Sequence, residues 1–184
     1  MKQQSEAVFL QGRSVVLVPL GAADVSEDYL QWLNDPEVLR YRAPKSFPTT
    51  VAQLKAWVEG ISSRGDLVLA IRTADERRHV GNIALNDISW NHRSADLAIM
   101  IGAKDVWGRG IGVEAISLLT SHGFKAMGLH RITAQSPNPS FNAAVKKLGW
   151  THEGTRREAF LLDGKFSDME CWGILDREWE EGGK

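Results

Sequence analysis

The sequence predicts a mixed α+β fold, with a central and mostly antiparallel twisted sheet of about seven strands flanked by about four helices. Three observations carry that expectation. Apolar, β-branched runs of strand length recur at 14–20, 66–73, 79–88, 95–102, 131–135, 154–162 and 166–175. The gaps between the three middle runs are short and polar, with Asp75-Glu76 in one and Asn91 and Ser94 in the other, which favours hairpins over crossovers. The remaining stretches carry apolar residues at helical spacing, so the order reads strand, two helices, three strands, helix, strand, helix, two strands.

Each element has its own signal. "SVVLVPL" (14–20) is a β-branched strand ended by Pro19 and Gly21. "DVSEDYLQWLND" (24–35) predicts a helix capped by Asp24 or Ser26, with Leu30, Trp32 and Leu33 as its apolar positions. "TVAQLKAWVEGI" (50–61) predicts a second helix, capped by Thr49 or Thr50, that presents Val51, Leu54, Trp57 and Val58 on one face. Between these helices, 34–50 holds three prolines and reads as a loop. In "GVEAISLLTSHGFKAMG" (112–128), Ile111, Ala115, Leu118, Leu119 and His122 share a face, and Gly128 is the expected stop. "SFNAAVKKLGW" (140–150) predicts a short helix stopped by Gly149. Asp163-Gly164 is a strong hairpin turn between the last two strands.

Composition narrows the class. The 184 residues are 43% hydrophobic and 24% charged, with a formal net charge of -1, which is ordinary for a globular protein and argues against a dedicated nucleic-acid binder. One domain spanning 1–184 is expected, because no repeat or flexible linker divides the chain. Cys171 is the single cysteine, so no internal disulfide can form, which fits a reducing compartment. The N-terminal apolar run is too short and interrupted for a signal peptide or a spanning helix. A cytoplasmic protein without membrane or nucleic-acid partners is expected. The five histidines lack the spacing of a metal site, so no metal is expected. Trp32, Trp57, Trp150 and Trp172 are expected in the core, and Trp90 at the surface or a dimer contact.

The segment "VWGRGIGVEA" (106–115) demands a separate account. A nucleotide-triphosphate loop needs Lys and Ser or Thr after its last glycine, and Val113 and Glu114 stand there instead. A dinucleotide fingerprint is met by Gly110, Gly112 and Ala115, but the acidic residue required about 20 positions later is missing around Leu129–Arg131. A third reading is a metal-free pyrophosphate cradle. Gly108, Gly110 and Gly112 let successive backbone N–H groups approach an anion, the helix start adds its positive end, and Arg109 adds a charge. A glycine-rich tight turn without ligand is the alternative.

This segment resembles the acetyl-CoA-binding signature of the GNAT N-acetyltransferase superfamily, Q/R-x-x-G-x-G/A, with Trp107 at the Q/R position, Gly110 at the first glycine and Gly112 at the last. Tryptophan there is similar to the branch that acetylates protein N-termini (the RimJ/RimL type) and to its amino-sugar and polyamine relatives. "NPSFNAAVKKLGW" (138–150), "WLNDPEV" (32–38) and "HEGTRREAFLLDGKFSDMECWGIL" (152–175) resemble further segments of that branch, in the family's order.

The resemblance implies an acyltransferase that uses acetyl-CoA as donor. Pyrophosphate would lie on the amides from Gly108 through Arg109, Gly110, Ile111 and Gly112 to Val113, with Trp107 beside them. The main chain of Ile99, Met100 and Ile101 would pair with the pantetheine arm. Asn138 matches a cofactor-contacting asparagine, and Asn142 and Lys146 are further candidates on the next helix. For the base that neutralises the amine, Asp96 is favoured: it stands eleven residues before Trp107, where relatives often carry a strand carboxylate, and shares a face with Ala98 and Met100. Asp87 and Asp168 are reserves, and a solvent-facing strand residue is the alternative reading of Asp96. The family's usual proton donors are replaced by Val145 and Phe141, so no general acid is assigned.

The acceptor would bind between the first-helix loop and the last hairpin, where Arg40, Tyr41, Arg42 and Lys45 form a cationic rim that repels polyamines. The lead acceptor is a protein or peptide N-terminal α-amine. A small amine metabolite (an amino sugar, a nucleotide-linked amino sugar or a polyamine) is the alternative, and a catalytically silent CoA-binding module the second. A homodimer is in keeping with relatives.

Overall fold

The computed structural model describes residues 7–42 and 47–179. One eight-stranded sheet organises them, in the order β1-β2-β3-β4-β5-β6-β8-β7. Its strands are β1 (Leu10–Gln11), β2 (Val15–Pro19), β3 (Leu67–Thr73), β4 (His79–Ser89), β5 (Ser94–Ile101), β6 (Arg131–Ser136), β7 (Thr151–Leu162) and β8 (Lys165–Leu175). Every neighbouring pair is antiparallel except β5 and β6. The mixed α+β expectation holds, with one strand more than anticipated. The added β1 is only two residues long, too short to show periodicity.

Five helices flank the sheet: α1 (Glu27–Trp32), α2 (Val51–Glu59), α3 (Ile61–Arg64), α4 (Ile111–Lys125) and α5 (Pro139–Lys147). Their starts follow side-chain chemistry. Ser26 caps α1 by accepting the Tyr29 amide at 3.2 Å. Thr50 and Gln53 form a reciprocal capping box on α2. Asp24, the other candidate cap, is instead buried and accepts a hydrogen bond from Arg72 at 2.6 Å. The α3 turn was not anticipated, because Gly60 makes the segment after α2 read as its end. Asp163 and Gly164 both take positive φ, 49° and 78°, as the hairpin between β7 and β8 requires.

Residues alternate across β5, so its two faces serve two layers. Ile99 and Ile101 face α4, where a Cβ on Gly112 would stand 3.9 Å from each. Asp96, Ala98 and Met100 face the side covered by α1 and α2. At the end of β5, Gly102 lets Trp32 close over the strand, since a Cβ there would lie 2.0 Å from the indole. Trp32, Trp150 and Trp172 are in the core as expected, and Trp90 is 62% exposed. Trp57 departs from expectation: it is 41% exposed, with the Arg64 guanidinium over its ring at 5.0 Å. Its helical spacing places it at the border of the buried face, over a cavity. Among the described residues, no helix is long and apolar enough to cross a membrane.

Candidate active site

β5 and β6 pair in parallel only from Ser94–Asp96 to Arg131–Thr133. Beyond Asp96 they part, because β6 continues along β8 while β5 stays with β4. Half of the backbone groups of Leu97–Ile101 therefore face a gap instead of a neighbouring strand. A cleft of about 610 Å³ occupies that gap. It is walled by Ile99, Met100 and Ile101, by the glycine loop, and by Ser136, Asn138, Ser140 and Phe141 from the end of β6 through the start of α5.

The glycine loop is shaped by conformations that side chains disfavour. Gly108 and Gly110 have φ of 75° and 82°, and a Cβ on either would meet no protein atom within 4 Å. Gly110 caps α4, whose first-turn N–H groups lack intrahelical partners. The result is an open main-chain concavity carrying the positive end of a fifteen-residue helix. Three braces hold it. Trp107 donates its indole N–H to the Ile101 carbonyl at 2.9 Å. Glu114 accepts the backbone amides of Arg13 and Ser14, which pins the first turn of α4 to the β1–β2 turn. Arg78 pairs with Asp105 just before the loop.

A second cavity, about 570 Å³, lies on the opposite face of β5. Cross-strand pairs build its floor, Asn82 opposite Met100 and Ala84 opposite Ala98, and Asn86 extends it on β4. Tyr29 and Leu33 of α1, Gln53, Leu54 and Trp57 of α2, and Arg42 complete it. The two cavities share Ile99, Met100 and Arg42.

Asp96 sits at the end of that floor. Ala98 and Asn86 line the cavity, whereas Asp96 lies just outside the lining. Burial pushes its carboxyl up to about 6, with the Asp87 charge adding to the rise and a hydrogen bond from Thr133 opposing it. Such a group exchanges protons near neutral pH. The reserve Asp168 is elsewhere, accepting the Glu158 amide at 2.9 Å in the last hairpin, and Asp87 is exposed at the β4 bulge.

The remaining expected residues divide. Trp107, Gly108, Gly110, Ile111, Gly112, Val113 and Asn138 all wall the cleft, but Arg109 is exposed and outside its lining. Asn138 spends its side-chain oxygen on the Ser140 amide at 2.9 Å, as the cap of α5. Asn142 lies outside the cleft lining: its oxygen accepts the Trp172 indole N–H at 3.1 Å and its amide reaches the Ser136 carbonyl, so both ends serve the fold. Lys147, not Lys146, reaches the cleft. Arg40, Tyr41 and Arg42 line the cleft, and Arg40 is paired with Asp163 at 2.6 Å, which links the first-helix loop to the last hairpin and neutralises one charge of the expected cationic rim. Lys45 lies outside the described residues. Lys104 ties the same loop to the end of β5 through Asp35 at 2.7 Å and Glu37 at 2.8 Å. Val145 is fully buried and Phe141 borders the cleft.

Several lining residues escaped the sequence reading. Asn82 and Asn86 carried a usable signal: two amides at even spacing on an otherwise apolar strand face. Ser136, Ser140 and Tyr29 carried none, since each is an ordinary residue of its element.

A sheet split at one parallel pair, with a helix N-terminus and a glycine loop at the split, is the architecture of an acyl-group transferase. Residues 14–151 match the acetyltransferase (GNAT) domain family, and the chain belongs to that family. It is an N-acetyltransferase of the GNAT type. The uncharacterized N-acetyltransferase YoaA of Bacillus subtilis is 25% identical over 171 residues, covering 90% of this chain and 96% of its own. The structure of spermidine N-acetyltransferase from Vibrio cholerae, in complex with CoA and spermine, superposes with a TM-score of 0.80 at 21% identity, over 90% of this chain and 97% of that one. RimJ of Mycobacterium smegmatis, in complex with CoA-disulfide, gives 0.79 at 20% identity, over 89% and 83%.

Proposed function

We propose that the chain moves the acetyl group of acetyl-CoA to the α-amine of a peptide or protein N-terminus. The observation that carries this reading is the meeting of two cavities on one stretch of strand, at Ile99 and Met100. A thioester lying in the cleft beside β5 would present its carbonyl where an amine in the second cavity can reach it.

Each part of the chain then has a task. The amides of Gly108–Val113 receive the pyrophosphate, and the gap-facing backbone of Ile99–Ile101 pairs with the pantetheine arm. A strand amide of Met100 or Ile101 stabilises the tetrahedral oxyanion. Asp96, one strand step beyond the cavity floor, takes the proton of the ammonium through water, and the amine attacks the thioester carbonyl. The nitrogen of the tetrahedral intermediate gives its surplus proton to water, the C–S bond breaks, and the thiolate leaves, taking a proton from solvent.

The acceptor is favoured on charge. The second cavity has no carboxylate in its lining, and residues 43–46 add none by sequence. A polyamine keeps further ammonium groups that such a cavity cannot neutralise. A peptide N-terminus brings one amine, amides and a side chain, which suit Asn82, Asn86, Gln53 and the apolar wall. A homodimer in the cytoplasm, of the RimJ/RimL type, belongs to the same reading.

Thiol release from acetyl-CoA tests it, with short peptides in one pool and amino sugars and polyamines in the other. Turnover confined to peptides is expected. Turnover confined to small amines would overturn the acceptor, and acetyl-CoA binding without turnover in either pool would favour a silent CoA-binding module.

A further inference from the structure

Two aromatic side chains of the second cavity are left in water by the fold. Phe47 is 81% exposed and Trp57 is 41% exposed, and both belong to the lining. A single exposed aromatic is ordinary, but two on one cavity are apolar surface that folding has not covered and an occupant can cover. Below them the floor is hollowed by small residues, since Ala84 and Ala98 stand opposite each other on β4 and β5. Leu33 and Leu54 continue the apolar wall. The space between floor and rings is therefore bounded largely by carbon.

Both aromatics are braced from outside the cavity. Pro48 restricts Phe47 to extended backbone. Two residues beyond Phe47 the chain is clamped to α1: Asn34 accepts the Thr49 amide at 2.7 Å and donates to the Thr49 carbonyl at 3.0 Å and the Leu30 carbonyl at 2.9 Å. Trp57 is held by Arg64, whose guanidinium lies over the indole at 5.0 Å and donates to the Trp57 carbonyl at 3.0 Å. Arg64 is itself steadied by Asp66 at 3.8 Å. Apolar contact surface fixed before binding loses little entropy when it is covered.

We propose that Phe47 and Trp57 form a side-chain subsite for the acceptor, and that the acetylated amine belongs to a first residue with a large apolar side chain, such as leucine or phenylalanine. This rests on the reading of the second cavity as the acceptor site. An amine placed at Ile99 and Met100 carries its own side chain one carbon away, so that side chain must lie in the same cavity. Alanine or serine would leave the hollow over Ala84 and Ala98 unfilled and both rings wet.

The test uses peptides that differ only in a first residue of leucine, alanine or serine, beside a small-amine pair, 3-methylbutylamine and ethylamine, at equal concentrations of neutral amine. The wild-type protein is expected to favour the leucine peptide over the alanine peptide about tenfold in kcat/KM, because the additional carbons of leucine leave water. Trp57→Gln should cut that ratio to about twofold, and Trp57→Phe should keep most of it. Phe47→Ser, on a residue almost wholly in solvent, should cut it less. A merely structural Trp57 would lower both peptides equally, and that result overturns the subsite. So does a Trp57→Gln protein that keeps the ranking and changes its sedimentation coefficient, which would put a second copy of the chain over the indole.

Calorimetry with free CoA present separates this proposal from the enzymatic one, because CoA carries no acetyl group and the peptide binds without turnover. Tighter binding of the leucine peptide, lost in Trp57→Gln, sustains the subsite even if no thiol is released. Turnover of small amines alone, with 3-methylbutylamine favoured and the preference lost in Trp57→Gln, sustains the subsite and overturns the peptide acceptor. Equal turnover of the three peptides overturns the subsite and leaves the peptide acceptor standing. The absence of preference in both series, or of binding by every amine, also overturns it.

Discussion

The cleft beside α4 and the cavity beneath α2 are nearly equal in volume, about 610 and 570 Å³, and they meet on the same two residues of β5. They are built from different material. The cleft is a backbone object, made of strand groups without a partner, two left-handed glycines and a helix start. The cavity is a side-chain object, made of a tyrosine, three amides, an arginine and an apolar wall drawn from six separate stretches. A backbone site recognises what is common to every use of the protein, a diphosphate and an extended arm. A side-chain site can be altered one residue at a time without disturbing the sheet. If that division is real, damage to the first abolishes binding of the donor, and damage to the second changes which amine is used.

The largest effect belongs at Gly110. A tryptophan there fills the concavity, and Gly110→Trp is expected to weaken acetyl-CoA binding by at least ~100-fold in calorimetry. Its φ of 82° makes any side chain strained, at about 1–2 kcal/mol, so a lowered but cooperative melt should accompany the loss. Undiminished affinity would remove the glycine loop from the donor site.

That loop was also the most legible part of the sequence, and the reason is physical. Positive φ and an open approach demand glycine, so the backbone writes itself into residue identity at 108 and 110. The strands and helices were legible because burial selects apolar residues, in one continuous run at Val15–Val18 and at helical spacing on the α4 face. The second cavity left almost no trace. Tyr29, Asn82 and Gln53 come together only once α1, β4 and α2 are packed, and each is unremarkable where it stands. The pairing of Arg40 was hidden for a related reason: Asp163 lies 123 positions away, and no local pattern reveals that the two neutralise each other.

Asp96 stands between the two regions and should show the next largest effect. General-base catalysis contributes on the order of 100-fold, so Asp96→Asn should lower kcat/KM by about that factor at pH 8. The wild-type profile should fall below about pH 6 as the carboxyl protonates, and the variant should lack that limb. Stability moves oppositely. The folded-state value is raised from 3.8, so ionisation costs stability from about pH 4 upward, fully above about pH 6. Asp96→Asn should therefore stabilise the fold at pH 8 by roughly 1 kcal/mol, less than the full shift implies because solvent screens the carboxylate, and not at all at pH 3. A variant with lower kcat/KM but an unchanged acid limb would move the base elsewhere.

A smaller effect is expected where a side chain serves the backbone site at second hand. Trp107→Phe keeps the ring and loses the hydrogen bond to the Ile101 carbonyl, worth about 1 kcal/mol. The loop loses one of three braces, and acetyl-CoA affinity should fall about fivefold. Acceptor preference should not move. A shift in preference instead would mean that the two regions are coupled through the end of β5.

Asn142 sharpens the comparison from the other side, because it lies next to the cleft and its two polar ends are spent inside the fold. In Asn142→Ala the buried Trp172 indole N–H loses its acceptor and the Ser136 carbonyl loses a donor. The unsatisfied indole costs about 1–2 kcal/mol, which a denaturant melt will read. Acetyl-CoA affinity should stay within about twofold, since no group that faces the cleft has been removed. A cofactor ligand would behave in the reverse way, with affinity falling and stability nearly constant. The pair of measurements therefore decides whether this asparagine supports the wall of the backbone site or is part of its surface.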